Sequence, residues 1–229
     1  PLRDPAGLIA DFCGSAGGHL PLLCVMNLTG VTNEVERASG LGHGELTRRA
    51  EQVPPGAGGL LWLPYLAGER VPNLPEARGT LLGVSSGSLE PGTLYRAALE
   101  GTSLNLALGA ERMRRLGVRL ERLKLVGGAA QNPLWRRILA NCLGLSVEPL
   151  QEPESAALGV ALQAAWAAQR APGQAAEARD LALLAAPFLV SAGRPCEPEP
   201  EWSAAYADLA QRFRGELLRH YGTQAWPAE

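Results

Sequence analysis

Leu123-Lys124-Leu125-Val126-Gly127-Gly128-Ala129-Ala130-Gln131-Asn132-Pro133-Leu134-Trp135 is the stretch on which the reading of this chain turns. Residues 123–126 are an apolar run that suits a strand. Small residues follow, and Asn132 with Pro133 then opens a helix. The Asn side chain can accept from a free N–H at the helix start, and Pro is tolerated at the first helical position because no N–H is needed there. Gly127 and Gly128 lack Cβ atoms, so the backbone can turn sharply and a ligand can come close to it. The helix start behind them offers unpaired N–H groups and a partial positive charge. This strand, turn and helix read as a nucleotide-contacting unit, with an ordinary βα turn as the plainer alternative.

Outward from that turn, composition narrows the choices. The chain has 229 residues and a net charge of −2, with no basic stripe, which argues against a nucleic-acid partner. There is no GxxxxGK[ST] motif, and Lys124, the only lysine, lies inside an expected strand rather than after a glycine loop, so a P-loop mechanism is excluded. Cys13, Cys24, Cys142 and Cys196 form no CxxC pair and read as reduced thiols of a cytoplasmic protein. His19, His43 and His220 are scattered, which predicts no metal cage built from protein ligands. No apolar run reaches transmembrane length and no signal peptide stands out, so no membrane association is expected. The opening at Pro1 suggests a piece of a longer protein.

Hydrophobic periodicity predicts strands over 19–26, 59–64, 79–85, 123–126 and 146–149. It predicts helices over 29–39, 45–52, 91–116, 133–143, 153–169, 175–184 and 201–221, with a linker over 170–173. In the longest helix, Leu94, Ala97, Ala98, Gly101, Leu104, Ala107 and Leu108 share one apolar or small-residue face, and Gly117 is placed to end it. In the 153–169 helix, Ala156, Ala157, Gly159 and Ala161 are expected to pack closely on a sheet. Strands alternating with helices predict a single α/β domain with a layered sheet and flanking helices.

Four blocks stand in order along the chain. The first is Leu63-Pro64-Tyr65-Leu66-Ala67-Gly68-Glu69-Arg70-Val71-Pro72-Asn73. The second runs from Ala77-Arg78-Gly79-Thr80-Leu81-Leu82-Gly83-Val84 to Arg96-Ala97-Ala98-Leu99-Glu100-Gly101. The third is the Gly127-Gly128-Ala129 turn with Asn132 and Trp135, and the fourth is Glu154-Ser155-Ala156-Ala157-Leu158-Gly159-Val160-Ala161. Together they resemble the C-terminal lobe of the FGGY carbohydrate kinases over roughly 11–168. The Gly-Glu-Arg-x-Pro loop resembles the xylulokinase branch most, with the gluconate branch second. Thr93 departs from the family pattern, which carries an acidic, amide or His residue there. It is expected near the helix start, where Thr can act as a cap.

The resemblance implies an actin-like, ribonuclease H-like fold in two lobes. ATP, with Mg²⁺, would bind in the cleft and be held mostly by this lobe, and a sugar would bind mostly to an N-terminal lobe. Residues 1–229 would be the ATP-binding lobe, with 1–170 as core and 171–229 as a helical extension. It further implies nucleotide contacts from Gly127, Gly128, Ala129 and Asn132, and from Gly30 and Glu34 four residues apart on another helix. The family's catalytic base is an Asp in a Gly-Asp context. Asp4 and Asp11 have the wrong neighbours, so no catalytic residue is expected in this chain, and the chain alone should be inactive. A homodimer is an open expectation. The Gly68-Glu69-Arg70 loop either faces the cleft or is shaped by a Glu69–Arg70 ion pair. Trp135 is expected in the core. Two other readings compete with this one. One is a non-catalytic actin-like nucleotide-binding module. The other is a dehydrogenase domain, disfavoured because the turn is not GxGxxG, although Glu148 lies about twenty residues on, where such a fold keeps an acidic residue.

Overall fold

A computed structural model of the chain describes residues 2–15, 17–152, 154–169, 180–223 and 226. The expected linker over 170–173 and the first part of the expected 175–184 helix lie outside these residues. Among the described residues the order is β1 (Ile9–Cys13), β2 (His19–Leu23), α1 (Thr29–Ser39), α2 (His43–Glu51), β3 (Leu61–Leu63), β4 (Thr80–Leu82), α3 (Pro91–Arg115), β5 (Arg122–Leu125), α4 (Pro133–Leu143), β6 (Ser146–Pro149), α5 (Ser155–Ala168), α6 (Leu181–Ala185) and α7 (Pro200–Tyr221).

The strands form three two-stranded pairs among the described residues, where the sequence suggested one layered sheet. β1 pairs antiparallel with β2, with Asp11 opposite Pro21, and β3 pairs antiparallel with β4. β5 and β6 run parallel, with Leu123 opposite Val147. Parallel neighbours require a crossover, and here α4 supplies it. The 127–132 turn therefore sits at the carboxyl end of β5, where the chain leaves the sheet to enter α4.

Helix α3 is the axis of the core. Leu99, Leu104 and Leu108 are buried in it, and α4 adds Leu134, Ile138 and Leu139 to the same cluster. Helix α7 adds Tyr206, Leu209, Phe213 and Leu217. The small residues of α3 permit its close contacts. A Cβ on Gly101 would lie 2.2 Å from the Trp62 carbonyl oxygen, and one on Gly92 would lie 2.8 Å from the Arg49 Cβ. α3 ends where Gly117 takes a φ of 87°, and the Val118 N–H closes back on the Met113 carbonyl. At its start, Glu90 precedes Pro91 and no side chain caps the helix. Thr93 is already inside the helix, so it does not act as the expected cap.

One expected packing face is not found. No residue of α5 is buried, and Ala156 and Ala157 are exposed, as is Val160 at 69%. α5 meets α6 and does not lie on a sheet among the described residues. A pattern of small residues permits close approach but does not itself supply the surface approached.

Candidate functional site

The 127–132 turn is built as its residue types require. Gly127 has φ 76° and ψ −166°, a backbone open to glycine and closed to most other residues. Gly128 begins a 3-10 turn, Gly128–Gln131, with an ordinary negative φ; a Cβ there would meet nothing within 4 Å. The N–H groups of Gly128 and Ala129 have no partner among the described residues, as expected at the start of a helical turn. Asn132 caps α4, with its Oδ1 accepting from the Trp135 N–H at 3.0 Å. Trp135 is in the core at 2% exposure and donates from Nε1 to the Ser103 hydroxyl at 3.0 Å.

This turn forms one wall of a cavity of about 730 Å³. That volume falls within the range of small-molecule sites. Gly128, Ala129 and Asn132 line it from the turn. Thr29 and Asn33 line it from α1, and His43 and Thr47 from α2. Tyr95, from α3, is buried beneath it. Gly127, Gly30 and Glu34 are not among the lining residues. On α1 the lining positions are 29, 32 and 33, so Gly30 and Glu34 sit one step round the helix. Glu34 is half-buried there and paired with Arg37 at 2.7 Å.

A hydrogen-bond chain crosses the cavity floor. Asn132 Nδ2 donates to the Thr47 hydroxyl at 2.9 Å and reaches Tyr95 Oη at 3.4 Å. Tyr95 Oη lies 3.1 Å from His43 Nδ1, and His43 Nε2 lies 3.1 Å from Asn33 Oδ1. Burial pushes the Tyr95 hydroxyl pKa up, and hydrogen bonds with Thr47 and Asn132 pull against that shift. Asn132 is thus both a cap and the tie between the turn and α2. His43, Thr47, Tyr95 and Asn33 were not singled out from the sequence. Their only signal there is polar side chains beside apolar helix faces, which most surface helices share.

The Gly68-Glu69-Arg70 loop is also organised from inside, though not as expected. Glu69 is buried, and its carboxylate accepts from the Met26 N–H at 2.7 Å, the Asn27 side chain at 3.0 Å and the Arg70 N–H at 2.8 Å. It makes no ion pair with the Arg70 guanidinium. Backbone donors neutralise a carboxylate without a second desolvated charge, so the loop is pinned to the start of α1. No group of His, Cys, Asp and Glu side chains able to hold a metal is present among the described residues.

Residues 10–168 match the FGGY family of carbohydrate kinases, C-terminal domain. The chain is 39% identical over 167 residues to the xylulose kinase of Haemophilus influenzae, covering 73% of this chain and 34% of that protein. The solved xylulose kinase of Bifidobacterium adolescentis superposes with a TM-score of 0.71 at 31% identity, over 91% of this chain and 40% of the other. That of Rhodospirillum rubrum gives 0.77 at 28% identity, over 96% and 43%. The chain therefore spans about a third of the length of the curated relatives it matches.

Proposed function

This chain belongs to the FGGY family of carbohydrate kinases through its C-terminal domain, and on that premise we propose that it is the nucleotide-binding lobe of an ATP-dependent sugar kinase. The sugar is D-xylulose, and the reaction of the whole protein converts ATP and D-xylulose to ADP and D-xylulose 5-phosphate. One observation carries the reading: the family's glycine turn and its Asn132 open onto a cavity of ligand size rather than onto packed core. Phosphoryl transfer is catalysed by positioning and charge neutralisation, so a lobe can contribute binding without a reacting side chain. In this reading, residues 1–229 act as one ATP-binding lobe. Gly128, Ala129 and Asn132 hold the adenosine end of ATP at the cavity wall, Gly127 sets the turn that presents them, and Gly30 and Glu34 on the neighbouring helix lie at the edge of the site.

When bound, Mg²⁺ neutralises charge on the phosphates. Among the described residues no group of three or more His, Cys, Asp or Glu is placed to hold it, so the phosphates themselves would be among its ligands. The partner is a sugar-binding lobe, and the setting is the cytoplasm. Purified protein carrying this lobe together with a sugar-binding lobe should show a higher kcat/KM for D-xylulose than for gluconate or glycerol. A gluconate preference would move it to the neighbouring branch. The 229-residue chain on its own should give no turnover with ATP, Mg²⁺ and a ketopentose panel, and clear turnover would remove the claim that the base lies elsewhere.

A further inference from the structure

Of the three aromatic side chains that line the cavity, Tyr95 and Trp135 are each 2% exposed, and His43 alone presents a largely open ring, held through both nitrogens. We infer that the His43 ring is the flat surface against which the base of a bound purine nucleotide lies, with Tyr95 as the positioning residue that orients it; this rests on the nucleotide reading above. His43 is the first residue of α2 and lines the cavity, with 44% of its side chain exposed. Both ring nitrogens are engaged. Nδ1 lies 3.1 Å from Tyr95 Oη, and Nε2 lies 3.1 Å from Asn33 Oδ1 and 3.4 Å from the Glu36 carboxylate.

The partners fix the proton positions. Asn33 Oδ1 and Glu36 can only accept, so Nε2 carries the proton in the neutral ring and Nδ1 accepts from the Tyr95 hydroxyl. Tyr95 is 2% exposed, so its own ring has little surface to offer a ligand. With both of its nitrogens spent, His43 offers the cavity carbon surface and no free hydrogen-bonding edge. A planar, polarisable ligand group fits such a surface, and a nucleobase is one. Stacking of a base on an aromatic ring changes affinity by about tenfold when the ring is removed. Gly128 and Ala129, whose N–H groups have no partner among the described residues, line another wall of the same cavity, where they can meet polar atoms of the nucleotide.

The test is calorimetric titration of ADP into this chain and its variants, with melting curves in parallel. Wild type should bind. His43→Ala and His43→Leu should each bind about tenfold more weakly, because neither side chain is flat. His43→Phe should stay within about threefold of wild type, because it restores the flat surface without the nitrogens. Leu and Phe both fill the space, so the comparison between them still decides if the Ala variant fails to fold. Equal affinity for His43→Leu and His43→Phe, or unchanged affinity in His43→Ala, would overturn the inference while leaving the nucleotide reading intact. Absence of ADP binding by the wild type would overturn the nucleotide reading, and this inference with it.

Discussion

Tyr95 and Arg96 are adjacent on α3, yet they build two different kinds of polar cluster. Tyr95 joins a neutral chain through Thr47, Asn132 and His43 that borders a cavity. Arg96 is fully buried and donates to Glu100 at 2.6 Å and to Tyr206 at 2.7 Å, tying α3 to α7. The Arg96 guanidinium also lies 4.8 Å from the Trp202 ring, which Arg137 covers at 3.5 Å. The charged cluster is not fully satisfied within the protein: Arg96 Nη1 and Glu100 Oε2 are buried without a hydrogen-bond partner among the described residues. Burial drives the Glu100 carboxyl pKa up even against the pull of Arg96. The contrast separates two uses of polarity in one helix turn. Desolvated charge fixes which helices pack together, while neutral groups beside a cavity stay close to where a ligand can approach.

The sharpest way to break this contrast is Arg96→Ala. It leaves the Glu100 carboxyl buried without its cation, and removing one partner of a buried pair costs about 3–5 kcal/mol. Denaturant unfolding should show a loss of that size. The joint replacement Arg96→Met with Glu100→Leu should recover most of it, because no charge is left unpaired. A loss below about 1 kcal/mol for Arg96→Ala would mean that the cluster does not hold α7 in place.

The glycine turn gives a second, smaller contrast. Gly127→Ala places a side chain at φ 76° and ψ −166° and should cost roughly 1–3 kcal/mol of stability. Gly128→Ala has open space around its Cβ and should change stability by less than about 0.5 kcal/mol. Equal costs at the two positions, measured by thermal melting, would remove the distinction between the residue that shapes the turn and the one that faces the cavity.

On the neutral side of the comparison, Tyr95→Phe keeps the ring and removes one hydroxyl. Its cost should be about 0.5–1.5 kcal/mol, well short of Arg96→Ala. A loss as large as that of Arg96→Ala would show the two clusters to be equally structural.

The rim of the charged cluster supplies the smallest effect. Arg137 and Glu199 are paired, with side chains 40% and 43% exposed, so Glu199→Gln should cost about 0–1 kcal/mol. The Arg137 hydrogen bond holds the Glu199 carboxyl below its usual range. The wild-type advantage is therefore present above the ordinary glutamate pKa and lost as pH falls through the lowered folded value. An advantage that grew on acidification would contradict that assignment.

Local signals were the legible ones. α4 runs over Pro133–Leu143 as the sequence predicts, because Asn132, Pro133 and Gly144 mark its ends within a few residues. α1 ends as expected at Gly40, which has φ 69°. β1 was missed because Asp11 interrupts its short apolar run. The cavity floor was not legible for a different reason. Asn132 meets Thr47 across 85 positions and Tyr95 meets His43 across 52, and nothing near either residue in sequence announces the partner. Glu69 misled because a Glu beside an Arg looks like an ion pair. In the fold, the backbone N–H groups of Met26, Asn27 and Arg70 lie nearer its carboxylate. For α5, the run of small residues was read correctly as helix and wrongly as buried face, since helix propensity and burial are separate questions.

The cavity beside the 127–132 turn as a nucleotide site is tested most directly by Gly128→Val. Gly128 lines the cavity and a Cβ there would meet nothing within 4 Å, so a larger side chain can be added at the cavity wall with the Cβ itself unobstructed. ADP titrated into the wild-type chain and the variant, with melting temperatures measured alongside, separates binding from stability. The expected result is binding by the wild type, at least a tenfold loss in the variant, and little change in melting temperature. Equal ADP affinity in the two folded proteins would contradict the placement of the nucleotide at this turn.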